Sequence, residues 1–225
     1  MMAKKQERTG TQTHAVSLIT LIDPSSPISE QYRTIRTNIQ FASSADKQIK
    51  TIVVTSSGPG EGKSTTSANL AVVFAKSGQR VLLVDADMRK PTVYKTFSLN
   101  NASGLSTVLS TSTSVLEAAQ KTVIDNLSVL TSGPKPPNPS ELLGSARMNQ
   151  VMEEAKNLYD VVIFDMPPVV AVTDAQIMAS KADGTILVVR ENVARKESLT
   201  KARDLLNMVQ ARIIGVVYNL SLIHI

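Results

Sequence analysis

The sequence predicts an α/β protein built on a mainly parallel sheet with helices on both faces. Three features carry this expectation. Short, uninterrupted apolar runs read as buried strands, apolar residues recur at helical spacing between them, and a glycine-rich turn joins one such run to a helix. The strand runs lie at 52–54, 80–84, 127–130, 160–164, 184–189 and 212–219. Strands that alternate with helices join in parallel through right-handed crossovers, which covers both faces of the sheet.

At 225 residues and 42% hydrophobic content, the chain can bury a full core in one domain. It has no Cys, which excludes disulfides, thiolate metal sites and a Cys nucleophile. The net charge of +5 is spread along the chain, and four Phe, four Tyr and no Trp offer little for base stacking. A solvated surface attracted to anionic membranes or acidic peptides fits better than a nucleic-acid partner. No apolar run approaches the ~20 residues that a membrane-crossing helix needs, and the N-terminus lacks an apolar signal core. A cytoplasmic protein is expected.

Residues 1–24 read as a flexible arm, 25–220 as the folded domain and 221–225 as a short tail. Ile28, Tyr32, Ile35 and Ile39 share one helical face, with Glu30, Arg33 and Arg36 on another arc. By spacing alone that charged strip is a solvated face.

The strand at 52–54 runs into Ser57-Gly58-Pro59-Gly60-Glu61-Gly62-Lys63-Ser64-Thr65, and a helix follows over 67–75. Strand, glycine turn and helix in this order are the setting of a phosphate-binding loop. Glycines let backbone N–H groups and the positive helix end surround phosphate oxygens. Lys63 adds a cation for the β- and γ-phosphates, and the Ser64 hydroxyl suits Mg²⁺. Ser57 stands where the consensus begins with Gly.

Gly78 ends that helix, and the strand at 80–84 runs into Asp85-Ala86-Asp87-Met88-Arg89. Carboxylates at i and i+2 of an extended chain face the same side, here toward the crevice at the strand ends. A short helix is expected at 104–109, helical turns at 115–120, and a proline-rich loop at 131–139 beside the crevice. Ser140 is expected to cap a helix reaching about 157. The strand at 160–164 ends in Asp165-Met166-Pro167-Pro168, the form of a metal-directing acidic element. Asp174 is expected to cap a short helix, and Leu199, Ala202, Leu206 and Val209 mark the buried stripe of another. Asn219, at the end of the last strand, is placed to read a nucleotide base, or is a simple turn residue.

With these elements in hand, the chain resembles the bacterial tyrosine kinases of capsular and exopolysaccharide synthesis, P-loop NTPases related to the MinD/ParA ATPases. The likeness runs over 28–219. It rests on 57–64 as Walker A, on 84–89 as the second motif called Walker A′, on 164–168 as Walker B, and on Asn138-Pro139-Ser140-Glu141-Leu142-Leu143. It implies ATP and Mg²⁺ as cofactors, with Gly58, Pro59, Gly60, Glu61, Gly62, Lys63, Ser64, Thr65 and Asn219 binding nucleotide. Ser64, Asp85, Asp87 and Asp165 would direct the metal, and Lys63, Asp85, Asp87 and Asp165 would carry phosphoryl transfer to tyrosine. Glu30, Arg33 and Arg36 resemble the family's oligomerisation motif, which implies a homo-oligomeric ring. The two-polypeptide form of the family is activated by the cytoplasmic tail of a membrane adaptor, which would recruit the kinase to the inner membrane face.

Two departures stand out. The sequence ends without the usual C-terminal tyrosine cluster, so either it is truncated or its substrates are other proteins, and Met166 replaces a Thr of Walker B, which is expected to alter a water or Mg²⁺ contact. Two alternatives are a MinD/ParA-like switch ATPase and a nucleotide-dependent assembly subunit without kinase activity. Gly58, where such ATPases carry a signature lysine, argues against the first.

Overall fold

A computed structural model describes residues 17–43 and 48–219. In chain order its elements are α1 (Ile19–Ile22), α2 (Pro27–Ala42), β1 (Thr51–Ser56), α3 (Lys63–Lys76), β2 (Val81–Asp85), α4 (Val93–Thr96), α5 (Leu105–Ser110) and α6 (Val115–Ala118). They continue with β3 (Gln120–Lys121), β4 (Leu127–Leu130), α7 (Pro139–Gly144), α8 (Ala146–Leu158), β5 (Val161–Asp165), α9 (Asp174–Ala179), β6 (Gly184–Arg190), α10 (Lys196–Met208) and β7 (Ile213–Asn219).

The strands form one sheet in the order β3-β4-β2-β5-β1-β6-β7, parallel except for the antiparallel pair of β3 with β4. β2, β5 and β1, the three strands that run into the expected nucleotide motifs, are therefore contiguous. β1, β2 and β5 are buried along their whole length, so their uninterrupted apolar sequences reflect cover on both faces. One core lies under α1, α2 and α3, where Ile52, Leu70, Phe74 and Ile163 pack. The other lies under the helices of the second half, where Leu143, Met148, Phe164 and Leu206 pack.

α3 buries ten consecutive residues from Thr66 to Ala75. Its large apolar side chains each contribute roughly 1.5–3 kcal/mol by leaving water, so an acidic residue at Leu70 would break its seating. Gly78, at φ +89, turns the chain out of this helix into β2. Ser26 caps α2 by accepting from the Ser29 N–H at 3.1 Å, with Pro27 in the first turn.

Four expectations need correction. The 1–24 arm is not free over 17–22. Thr20 is buried, its N–H and hydroxyl donate to Asn69 Oδ1 at 3.0 and 2.9 Å, and Lys76 donates to its carbonyl at 2.8 Å. Residues 1–16 and 221–225 lie outside the described residues. The helix expected from Ser140 to about 157 is two helices, because Ser145 is extended (φ −69, ψ 160) and caps α8 through Met148 N–H at 3.2 Å. Ser140 lies inside α7 and caps nothing; its hydroxyl donates to Asp174 at 2.7 Å. The turns expected at 115–120 end with α6, and Gln120 instead pairs with Val129.

Candidate active site

The Ser57–Thr65 loop leaves β1 and enters α3 through Gly62, whose left-handed backbone (φ +91) suits glycine. Ser57 is buried, and its hydroxyl donates to Glu61 Oε1 at 2.5 Å; the Gly58 N–H donates to the same oxygen at 2.5 Å. The hydroxyl at the position of the consensus Gly thus forms an internal brace. Glu61 folds its side chain back into the loop, while Pro59 and Gly60 are exposed.

Lys63 Nζ lies 3.0 Å from Asp87 Oδ2 and 3.4 Å from Ser64 Oγ. Asp87 Oδ1 accepts from the Lys90 N–H at 3.0 Å, which fixes the carboxylate that faces the lysine. Asp85 ends β2 and Asp165 ends β5, and the two are Cα partners in the parallel ladder. Both are fully buried. Asp85 Oδ2 accepts from the Thr92 and Val93 N–H groups at 3.1 and 3.0 Å, which ties it to the start of α4. Asp165 Oδ1 accepts from Ser67 Oγ at 3.2 Å, and the Ser64 hydroxyl lies near the same carboxyl.

Burial pushes Asp85 up to about 8, the Asp165 charge adds to this, and the Val93 N–H opposes it. Asp165 is also raised, by burial first, with Lys63 working in the other direction. Burial is the largest single influence on Lys63 and lowers it, yet Asp165, Asp87 and Asp85 together leave it raised. The site thus has more carboxylate than its one ammonium can neutralise.

That surplus fits a divalent cation. Asp85 Oδ1 and Asp165 Oδ2 are buried oxygens without a hydrogen-bond partner among the described residues. Two such oxygens beside the Ser64 hydroxyl are the hard donors that Mg²⁺ takes. Met166 does not belong to this set. As the next residue of an extended chain it faces away from Asp165 and is buried in the core under the second-half helices.

Asn219 Nδ2 donates to the Glu61 carbonyl at 3.2 Å, which brings the end of β7 to the loop. Glu30, Arg33 and Arg36 lie on α2 instead. Glu30 pairs with Arg33 at 2.6 Å, Arg33 also donates to the Pro24 carbonyl at 3.0 Å, and Arg36 reaches the Val73 carbonyl of α3 at 3.3 Å.

Sequence reasoning missed Arg89 and misread Asp174. The Arg89 guanidinium grips Asp174 with Nε at 2.8 Å and a terminal nitrogen at 3.0 Å, and donates to Ser140 Oγ at 3.1 Å. Asp174 is fully buried in the first turn of α9, whose cap is Thr173, so the expected cap is corrected to an ion-pair partner. This clasp joins the loop after β2 to α7 and α9. The Arg in the Asp85-x-Asp87-x-Arg89 spacing was its visible signal.

Residues 49–214 match the AAA domain family. Over 203 residues the chain is 51% identical to the tyrosine-protein kinase YwqD of Bacillus subtilis (strain 168), covering 90% of this chain and 85% of that protein. The chain belongs to the bacterial tyrosine-protein kinases. Another relative of this kinase family, the tyrosine-protein kinase CpsD of Streptococcus pneumoniae serotype 4, is 40% identical over 191 residues, covering 84% of this chain and 83% of that one. Among solved structures, the kinase domain of the Escherichia coli tyrosine kinase ETK superposes with a TM-score of 0.86 at 31% identity, covering 97% of this chain and 87% of that one. MinD of Pyrococcus horikoshii superposes with a TM-score of 0.63 at 21% identity over 76% of this chain and 70% of that one, a likeness of fold alone. The kinase reading therefore prevails over the switch-ATPase alternative.

Proposed function

We propose that this tyrosine kinase moves the γ-phosphoryl group of ATP to protein tyrosines at the joint ends of β1, β2 and β5, in the service of capsular or exopolysaccharide synthesis. One observation carries the reading: Lys63, Asp85, Asp87 and Asp165 meet there, with two buried carboxylate oxygens unpartnered among the described residues.

In this reading the 57–65 loop and the first turn of α3 bind the triphosphate. Lys63 exchanges its contact with Asp87 for phosphate oxygens, and Asp87 keeps the ammonium within reach. Ser64, Asp85 and Asp165 would hold Mg²⁺, which would supply charge neutralisation at the phosphates. Asp85 faces the incoming phenol, orients it and accepts its proton. An ordinary carboxylate of pKa ~3.9 is a poor base toward a phenol of ~10, so its work is orientation and late proton acceptance. A loose transition state asks mainly for alignment and charge neutralisation.

Glu30, Arg33 and Arg36 are assigned to contacts between copies in a ring, and the cytoplasmic tail of a membrane adaptor to activation at the inner membrane face. In this reading membrane recruitment goes through the partner, and no helix among the described residues is long and apolar enough to cross a membrane. Incubation with ATP, Mg²⁺, an adaptor-tail peptide and a tyrosine-rich acceptor tests the proposal. Phosphotyrosine supports it, ADP alone supports the switch ATPase, and neither product supports an assembly subunit.

A further inference from the structure

The ends of the last two strands grip the phosphate loop from outside. Arg190 closes β6, Asn219 closes β7, and the two are Cα partners across that parallel pair. Arg190 donates from a terminal guanidinium nitrogen to the Gly60 carbonyl at 3.1 Å, and Asn219 Nδ2 donates to the next carbonyl, Glu61, at 3.2 Å. The Glu191 N–H donates to the Asn219 carbonyl at 3.2 Å, which ties the two strand ends together. Asn219 also sits close to Gly62: a Cβ there would come within 2.2 Å of Nδ2.

A trans peptide is planar, with its N–H antiparallel to its C=O. Holding the Gly60 carbonyl therefore sets the direction of the Glu61 N–H, and holding the Glu61 carbonyl sets that of the Gly62 N–H. Neither N–H has an acceptor among the described residues. Backbone donors aimed together in this way are what a polyphosphate requires.

We propose that Arg190 and Asn219 are positioning residues for phosphate recognition, which pin two loop carbonyls outward so that the Glu61 and Gly62 N–H groups face the triphosphate. The inference deepens the nucleotide assignment above and rests on it. It gives Asn219 a role different from base reading, because the groups it orients touch phosphate and not adenine. The two roles make opposite forecasts for a ligand that has no base.

Calorimetric titration of wild type, Asn219→Ala, Asn219→Asp, Arg190→Ala and Arg190→Lys with MgATP, MgGTP and inorganic triphosphate decides between them. Loss of one such hydrogen bond is expected to weaken all three ligands by the same factor, about five- to tenfold, with the ATP-to-GTP ratio unchanged. Asn219→Asp, which turns a carboxylate oxygen toward the Glu61 carbonyl, weakens them further. Arg190→Lys, which keeps one donor, recovers most of the loss of Arg190→Ala. A loss for MgATP with triphosphate binding intact would overturn the inference in favour of base reading. Unchanged binding of all three ligands would overturn it while leaving the nucleotide assignment in place. A wild-type protein that took up none of the three would overturn both.

Discussion

Asp85 and Asp165 stand side by side as Cα partners at the ends of β2 and β5, both buried, each with one oxygen unpartnered among the described residues. Like charges this close in a buried site oppose each other, and Lys63 answers only part of the repulsion. The pair therefore stores a cost in stability that a bound Mg²⁺ would relieve.

That cost gives stability a definite dependence on pH. The folded protein raises Asp85 from 3.8 to about 8, so it holds this proton more tightly than the unfolded chain does. The resulting stabilisation is complete below about pH 4 and is lost as pH rises through about 8. Asp85→Asn removes the charge and keeps an oxygen for the Thr92 and Val93 N–H groups. In EDTA, urea unfolding should show wild-type stability falling from pH 5 to pH 8 more steeply than that of the variant. At pH 8 the variant should lead by on the order of 1–3 kcal/mol, with its kinase activity lost. Parallel pH profiles would contradict the account.

The Arg89–Asp174 clasp should matter to the fold as well as to the loop after β2. Arg89→Ala leaves a fully buried carboxylate with the Ser140 hydroxyl as its remaining side-chain partner among the described residues. Removing one partner of a buried pair costs about 3 kcal/mol. Adding Asp174→Asn to that variant should return part of the loss, as read from urea midpoints. A cost for Arg89→Ala within experimental error would show that water already serves the carboxylate.

Arg33 and Arg36 should part company when tested for assembly. Among the described residues, Arg33 is held by an exposed pair with Glu30 and by the Pro24 carbonyl. Its loss should shift stability by less than about 1 kcal/mol while reducing the mass seen by light scattering. Arg36 reaches across to Val73 of α3, so Arg36→Ala should also lower the melting temperature, by the equivalent of about 1 kcal/mol. Full assembly of Arg33→Ala would remove that residue from the ring contact.

The parts of this molecule legible in its sequence are those where neighbours along the chain do the work. β1, β2 and β5 are covered on both faces, so each shows as a continuous apolar run, and Asp85, Asp87 and Asp165 follow directly at the strand ends. What was hidden depends on distant partners. Asp174 opens a helix and so reads as a cap, but its partner Arg89 is 85 residues away and arrives only through the sheet order. α1 is a single turn, too short for a periodic signal, and it is held by distant partners, Asn69 and Lys76 of α3 and Ser29 of α2. β3 has two residues and exists by its pairing with β4. The break at Ser145 carries no proline and shows only in its extended backbone.

The central claim is that Lys63 and its three carboxylates transfer phosphate to tyrosine, and one assay meets it directly. Wild type and Lys63→Met are incubated with ATP, Mg²⁺, an adaptor-tail peptide and a tyrosine-rich acceptor, and phosphotyrosine is measured by mass spectrometry. The account predicts acceptor phosphorylation by wild type, its loss in EDTA, and a decrease of at least about a hundredfold in the variant. Equal phosphotyrosine from both proteins would contradict it.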